Sequence, residues 1–113
     1  MKDYSKEVKE LIEKYKVNGI VFGKDIDFII KRIKSSRENI EKEIFFCKNL
    51  YLVEKQEKDN EIRYVLYFVY SHRKGRQYVL TFRDNNIRII TAFPLGRRTI
   101  KKYSKKGLNI WDN

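Results

Sequence analysis

The side chains best able to do chemistry lie in the second half of the chain, and most of them are cationic. Arg97, Arg98, Lys101, Lys102, Lys105 and Lys106 come as doublets four residues apart. Wound into a helix at about 100° per residue, these six cover about half the circumference and leave Ile100 and Tyr103 on the other side. Such a stripe offers phosphates a row of charge while its apolar edge stays anchored. Like charges at i,i+4 repel by a few tenths of a kcal/mol each, and a polyanion relieves that repulsion. A second basic cluster, Ser71-His72-Arg73-Lys74-Gly75-Arg76, contains the only histidine. An imidazole can serve as general acid or base beside a phosphodiester, although a solvated turn residue is the simpler reading. Arg83, Arg88 and Thr91 interrupt runs that are otherwise apolar. An arginine there can stabilise the charge of a pentacoordinate phosphate and a hydroxyl can hold one of its oxygens. The plain alternative is a solvated strand-end arginine and a threonine chosen for its strand propensity.

The charge distribution supports the polyanion reading. The 113-residue chain carries 26 Lys+Arg and 15 Asp+Glu, a formal charge of +11. Residues 1–60 hold 14 basic and 12 acidic side chains, whereas residues 61–113 hold 12 basic and only Glu61, Asp84 and Asp112. A uniform lysine bias would not strip acids from one half, so the excess reads as a surface for nucleic acid. Clustered carboxylates for divalent-metal phosphoryl chemistry are not evident, and one cysteine with one histidine makes no zinc site. Nucleotide-binding and hydrolase motifs are not evident either, so no metal or cofactor is expected. RNA still offers a metal-free route, because its own 2′-hydroxyl can be the nucleophile.

The elements that position these residues follow from periodicity. Tyr4, Val8, Leu11, Ile12 and Tyr15 mark a first helix that Asn18-Gly19 ends. A second helix is expected over Asp25 to Lys34 with Phe28, Ile29 and Ile33 inward, after a short extended piece from Ile20 to Phe22. Ser35-Ser36-Arg37-Glu38 has the form of a capping box, with Ser35 as the cap. It opens a third helix burying Ile40, Ile44 and either Phe45 or Cys47, the cysteine being a small core residue. Strands are expected at Leu50 to Lys55, Ile62 to Ser71, Gln77 to Arg83 and Ile87 to Phe93, joined by short turns into an antiparallel meander. The apolar run from Tyr64 to Tyr70 suits a strand covered on both faces and is too short to span a bilayer. Pro94 ends the last strand and residues 95–106 form the basic helix. The expected class is α+β in one domain: a helical half (1–48) covers one face of a roughly four-stranded antiparallel sheet (50–93), with the basic helix after it. The other face is left partly open. With charged residues after Met1 in place of a signal peptide, a soluble cytoplasmic protein is expected.

The run Tyr78-Val79-Leu80-Thr81-Phe82-Arg83, with Ile87-Arg88-Ile89-Ile90-Thr91-Ala92-Phe93-Pro94, Arg97-Arg98 and Tyr103, resembles the end of RelE/BrnT-type RNase toxins. These belong to the barnase–EndoU–colicin–RelE group of metal-independent ribonucleases. The motif-like part of the resemblance covers residues 87–103. It implies that Thr91 contacts the scissile phosphate, that Arg83 and Arg98 stabilise it, and that Tyr103 lies nearby. It also implies an acidic antitoxin as partner. The chain departs from the BrnT pattern at Phe93, where those proteins carry arginine. Arg32 or Arg37 would have to serve for a helical histidine or arginine found in several relatives.

The leading expectation is therefore an endoribonuclease of the toxin type, with His72, Arg83, Thr91, Arg98 and Tyr103 at the reaction. Arg73, Lys74, Arg76, Arg88, Arg97, Lys101, Lys102, Lys105 and Lys106 would bind the nucleic acid. His72 would carry the proton, with Tyr103 as a substitute. The alternative is a non-catalytic nucleic-acid-binding module on the same surface, and a third reading is a module for an acidic protein. No membrane partner is expected.

Overall fold

The computed structural model describes residues 2–104, so Lys105 and Lys106 lie outside the described residues. The elements in chain order are α1 (Ser5–Tyr15), β1 (Ile20–Phe22), α2 (Ile26–Ile33), α3 (Arg37–Phe46), β2 (Leu50–Lys58), β3 (Glu61–Val69), β4 (Gly75–Arg83), β5 (Asn86–Leu95) and α4 (Arg97–Ser104). The class is α+β, with five strands in the order β1-β5-β4-β3-β2. The fifth is the short piece β1, which pairs in parallel with β5 over Ile87–Ile89 and makes the sheet mixed.

Two tight turns set the sheet register. Asp59-Asn60 and Asp84-Asn85 all have positive φ (53°, 61°, 54° and 60°). Each pair closes a two-residue hairpin, with Lys58 opposite Glu61 and Arg83 opposite Asn86. Aspartate and asparagine tolerate this conformation, and the resulting turn matches the right-handed twist of the strands. Both turns lie at the same end of the sheet.

Alternation then divides the side chains between two faces. Tyr64, Leu66, Phe68, Tyr78, Leu80, Ile87 and Ile89 bury against α1, α2 and α3. Leu52, Val65, Tyr67 and Leu95 form a second, smaller core on the opposite face with Ile100 of α4. Tyr103 also docks there, its ring 4.8 Å from that of Tyr67. The apolar edge of the basic helix is therefore the pair expected from its spacing, while Arg97, Arg98, Lys101 and Lys102 stay exposed.

Two local expectations are corrected, at Ser35 and Phe28, and of the two candidates at the end of α3 Cys47 is the buried one. The cap of α3 is Ser36, whose Oγ accepts from the Asn39 amide at 3.1 Å. Ser35 cannot build the box, because its own amide closes α2 by donating to the Ile30 carbonyl at 3.1 Å. Phe28 points outward and is 63% exposed, since Ile26, Ile29 and Ile33 take the buried side of α2. Cys47 lies just past α3 as its left-handed C-cap and is buried.

One ion pair ties the helical layer to the sheet. Glu43 of α3 accepts from Arg76 Nη1 at 3.1 Å, from the Tyr78 hydroxyl at 2.5 Å and from the Tyr70 hydroxyl. Arg76 also donates to the Ile33 carbonyl at 3.1 Å, so α2, α3 and β4 share it. Arg76 shares the helix-covered face with Tyr78 and is committed to Glu43, which takes it out of the phosphate-facing set.

Glu43→Ala would leave the half-buried Arg76 without its counter-charge, and a loss of about 3 kcal/mol in urea unfolding is expected. Burial, then hydrogen bonding to Glu7, pushes Tyr64 up to about 12, and burial likewise raises Tyr67, Tyr70 and Tyr78. A raised phenol favours the protonated folded state. Stability should therefore be level with respect to these groups below about pH 10, where unfolded tyrosines titrate, and should fall as pH rises beyond it. Denaturant midpoints between pH 9 and 11.5 check this, and a flat profile would refute it.

Candidate phosphate-binding site

The register lines up Gln56, Arg63, Thr81, Arg88 and Val21 as one row across all five strands. Their face is that of α4, but α4 covers only the end of the sheet near Leu95. At the other end, beside the two tight turns, a recess of about 290 Å³ remains open. Glu61, Arg63, Thr81, Arg83 and Arg88 line it together with Val21, Gly23, Ile89 and Ile90. Three guanidiniums thus share one carboxylate.

The electrostatics of the recess are unbalanced. Arg63 Nη2 lies 3.4 Å from Glu61 Oε2, a long ion pair. The Nε atoms of Arg63 and Arg88 are buried without a hydrogen-bond partner among the described residues. A buried donor without a partner costs about 1–3 kcal/mol, so an anion that accepts from both would recover that loss. The Thr81 hydroxyl is 2.9 Å from the Ile62 carbonyl and next to Glu61. The neighbouring Thr81 hydroxyl, then Arg63, holds the Glu61 carboxyl below the usual carboxylate range, with Arg83 adding to the effect, while the Thr81 proton itself is donated to the Ile62 carbonyl. Glu61 is therefore ionised at neutral pH. Its contribution to stability is present above about pH 4.3 and is lost as pH falls through the lowered value.

The structure gathers only part of the set expected from the sequence. Arg83 and Arg88 enter the recess. Thr91 lies in the next row on the same face, opposite Val79, with Arg32 Nη1 3.4 Å from its Oγ1. Tyr103 donates to Glu54 at 3.1 Å and its hydroxyl is 3.0 Å from that of Tyr67. Burial raises the Tyr103 phenol and keeps it protonated. Glu54 and Thr91 occupy one row but are three strands apart, about 14 Å. Arg98 is exposed in the first turn of α4. His72, Arg73 and Lys74 are exposed in the turn between β3 and β4, at the other end of the sheet. The eight steps of β4 from Gly75 to Arg83 put His72 about 27 Å from the recess. His72, Arg83, Thr91, Arg98 and Tyr103 therefore do not converge on one phosphate.

Arg63, Glu61 and Thr81 escaped the sequence reading, although the signal was present. Tyr67, Val65, Arg63 and Glu61 alternate along one face of β3, as Val79, Thr81 and Arg83 do along β4. The two-residue turns then bring those rows into register. Arg32 was considered as a stand-in for a helical cation, and it does reach Thr91, around the edge of β5. Among the described residues, no three His, Cys, Asp or Glu side chains gather as a metal site. Comparison with protein-family models, curated proteins and solved structures finds no match for the chain.

A site organised for an anion rather than for stability should show it when its charges are removed. Arg88→Met is expected to raise the unfolding free energy by about 1 kcal/mol, because it relieves cation crowding and an unpartnered donor. Glu61→Gln, which removes the shared counter-charge, is expected to lower it. Urea denaturation of the two variants checks both signs.

Proposed function

We propose that the chain is a metal-independent endoribonuclease whose scissile phosphate sits among Arg63, Arg83 and Arg88. The observation that carries this reading is their convergence around one ionised carboxylate on the uncovered face of the sheet. The resemblance of residues 87–103 to RelE/BrnT-type toxins supports the reaction class only, since of the residues it implies Arg83 alone lines the recess. In this reading the guanidiniums take the non-bridging oxygens and stabilise the added charge of the pentacoordinate phosphorus. Glu61 accepts the proton of the 2′-hydroxyl as its oxygen attacks phosphorus. The bond to the 5′-oxygen breaks, leaving a 2′,3′-cyclic phosphate and a 5′-hydroxyl that takes its proton from water. The exposed cations of α4 hold the flanking strand, with an acidic antitoxin as the protein partner for the same surface.

A second reading, a non-catalytic nucleic-acid-binding module, is favoured by one observation. Glu61 is already paired with Arg63, as a counter-ion would be. Such a module binds with the same salt dependence but turns nothing over.

Purified protein incubated with RNA and EDTA separates the two. Cleavage is expected, with no cut at a position carrying a 2′-deoxyribose. Arg63→Ala and Arg83→Ala should each lower the rate by about 10²-fold. Glu61→Gln should lower it by about 10²-fold or more, and His72→Ala should leave it unchanged. Salt-sensitive binding without any cleavage would favour the module, and no binding would refute both readings.

A further inference from the structure

Beyond the recess, the open face continues along β5 to Thr91 and Phe93, short of Leu95, which α4 covers. Phe93 shares a cross-strand row with Gln77, Tyr67 and Leu52, so its ring belongs to that face, and it is 41% exposed. The parallel strand β1 pairs only as far as Ile89, so it does not run alongside Phe93. Phe28 approaches the same edge from α2 and is 63% exposed. The Arg32 guanidinium lies over both rings, 4.6 Å from each centroid. Its Nη1 donates to the Ala92 carbonyl at 3.2 Å, which holds the cation in place.

Two large rings left in solvent are costly unless something covers them, and here one anchored cation lies over both. Two exposed phenylalanines sharing a guanidinium offer aromatic surface beside a strongly cationic one. Arg88 lies toward one end of β5, and Arg97 and Arg98 follow the other. The chemistry that suits both features is a flat aromatic ring attached to phosphate, that is, a nucleotide base. A base within a duplex has both faces covered by its neighbours and cannot use the platform. The five steps from Arg88 to Phe93 include a bulge and span roughly 15 Å, so the stacked base belongs to a nucleotide neighbouring the held phosphate.

We infer that the Phe93–Arg32–Phe28 cluster is a base-stacking subsite for an unpaired nucleotide, and that it makes the protein select single-stranded over duplex RNA. The inference rests on the recess as the phosphate site. Its test is equilibrium binding by fluorescence anisotropy at fixed salt, with 2′-O-methyl strands that cannot be cut. The probes are an end-labelled single strand without self-pairing, its duplex, and the same strand with abasic positions. Phe28→Ala/Phe93→Ala is expected to weaken single-strand binding about tenfold or more while changing the other two less than twofold. Phe93→Trp should retain single-strand binding. Arg83→Ala should weaken binding of all three probes. Equal weakening on all probes by the double variant, or none, overturns the subsite while the Arg83→Ala result still supports the recess. Failure of the unaltered protein to bind any probe overturns both.

Discussion

Hairpin register is the constraint on which the rest depends. Two turns of two residues, Asp59-Asn60 and Asp84-Asn85, decide which side chains of β2 to β5 stand opposite each other. A slip by one residue in β3 or β4 would exchange its two faces. Arg63 and Thr81 would turn in among the helices, and Tyr64, Leu66 and Leu80 would turn out. The loss of several buried aliphatic and aromatic side chains, each worth about 1.5–3 kcal/mol, makes that exchange prohibitive. The same hydrophobic pattern that builds the larger core therefore aims the arginines at solvent. Stability on one face and charge on the other have a single origin.

Unequal coverage turns this alternation into a site. Three helices close one face, and α4, only eight residues long, closes part of the other through Ile100 and Tyr103. Ionic groups beneath the helices are compensated, as the ring of partners around Glu43 shows. Those on the open end are not, since among the described residues Glu61 is the one carboxylate lining a recess with three guanidiniums, and two Nε donors lack a partner. A fold selected only for stability would replace such a cluster with apolar residues of similar volume. Its presence beside a compensated network of the same residue types is an argument for a ligand.

The legibility of the molecule in its sequence varied with the range of the interactions. Helices α1 and α3, the four long strands and the apolar edge of α4 follow from periodicities of 3.6 and 2, which act between near neighbours. Periodicity does not assign the cap between Ser35 and Ser36, because capping depends on what the preceding helix does with the same amide. Nor does it place Phe28, because three isoleucines within eight residues outcompete it for the buried side of α2. Arg76 looked like part of a basic turn until strand parity placed it beneath α3, facing Glu43.

By itself, the sequence determined the α+β class, the charge imbalance between the halves and the cationic exposure of the final helix. These are sums over local composition or short-range patterns, and tertiary contacts do not alter them. The tertiary structure alone decided which cations meet. Arg63 and Arg88 are 25 positions apart in the sequence, yet they share one row across the sheet. His72, much closer to Arg63 along the chain, lies at the opposite end of the sheet. Phe28 and Phe93, from a helix and a strand at different layers, share one guanidinium. Such meetings depend on strand order, on register and on the β1–β5 pairing. Each is a long-range choice made by burying the larger core, and no local periodicity encodes it.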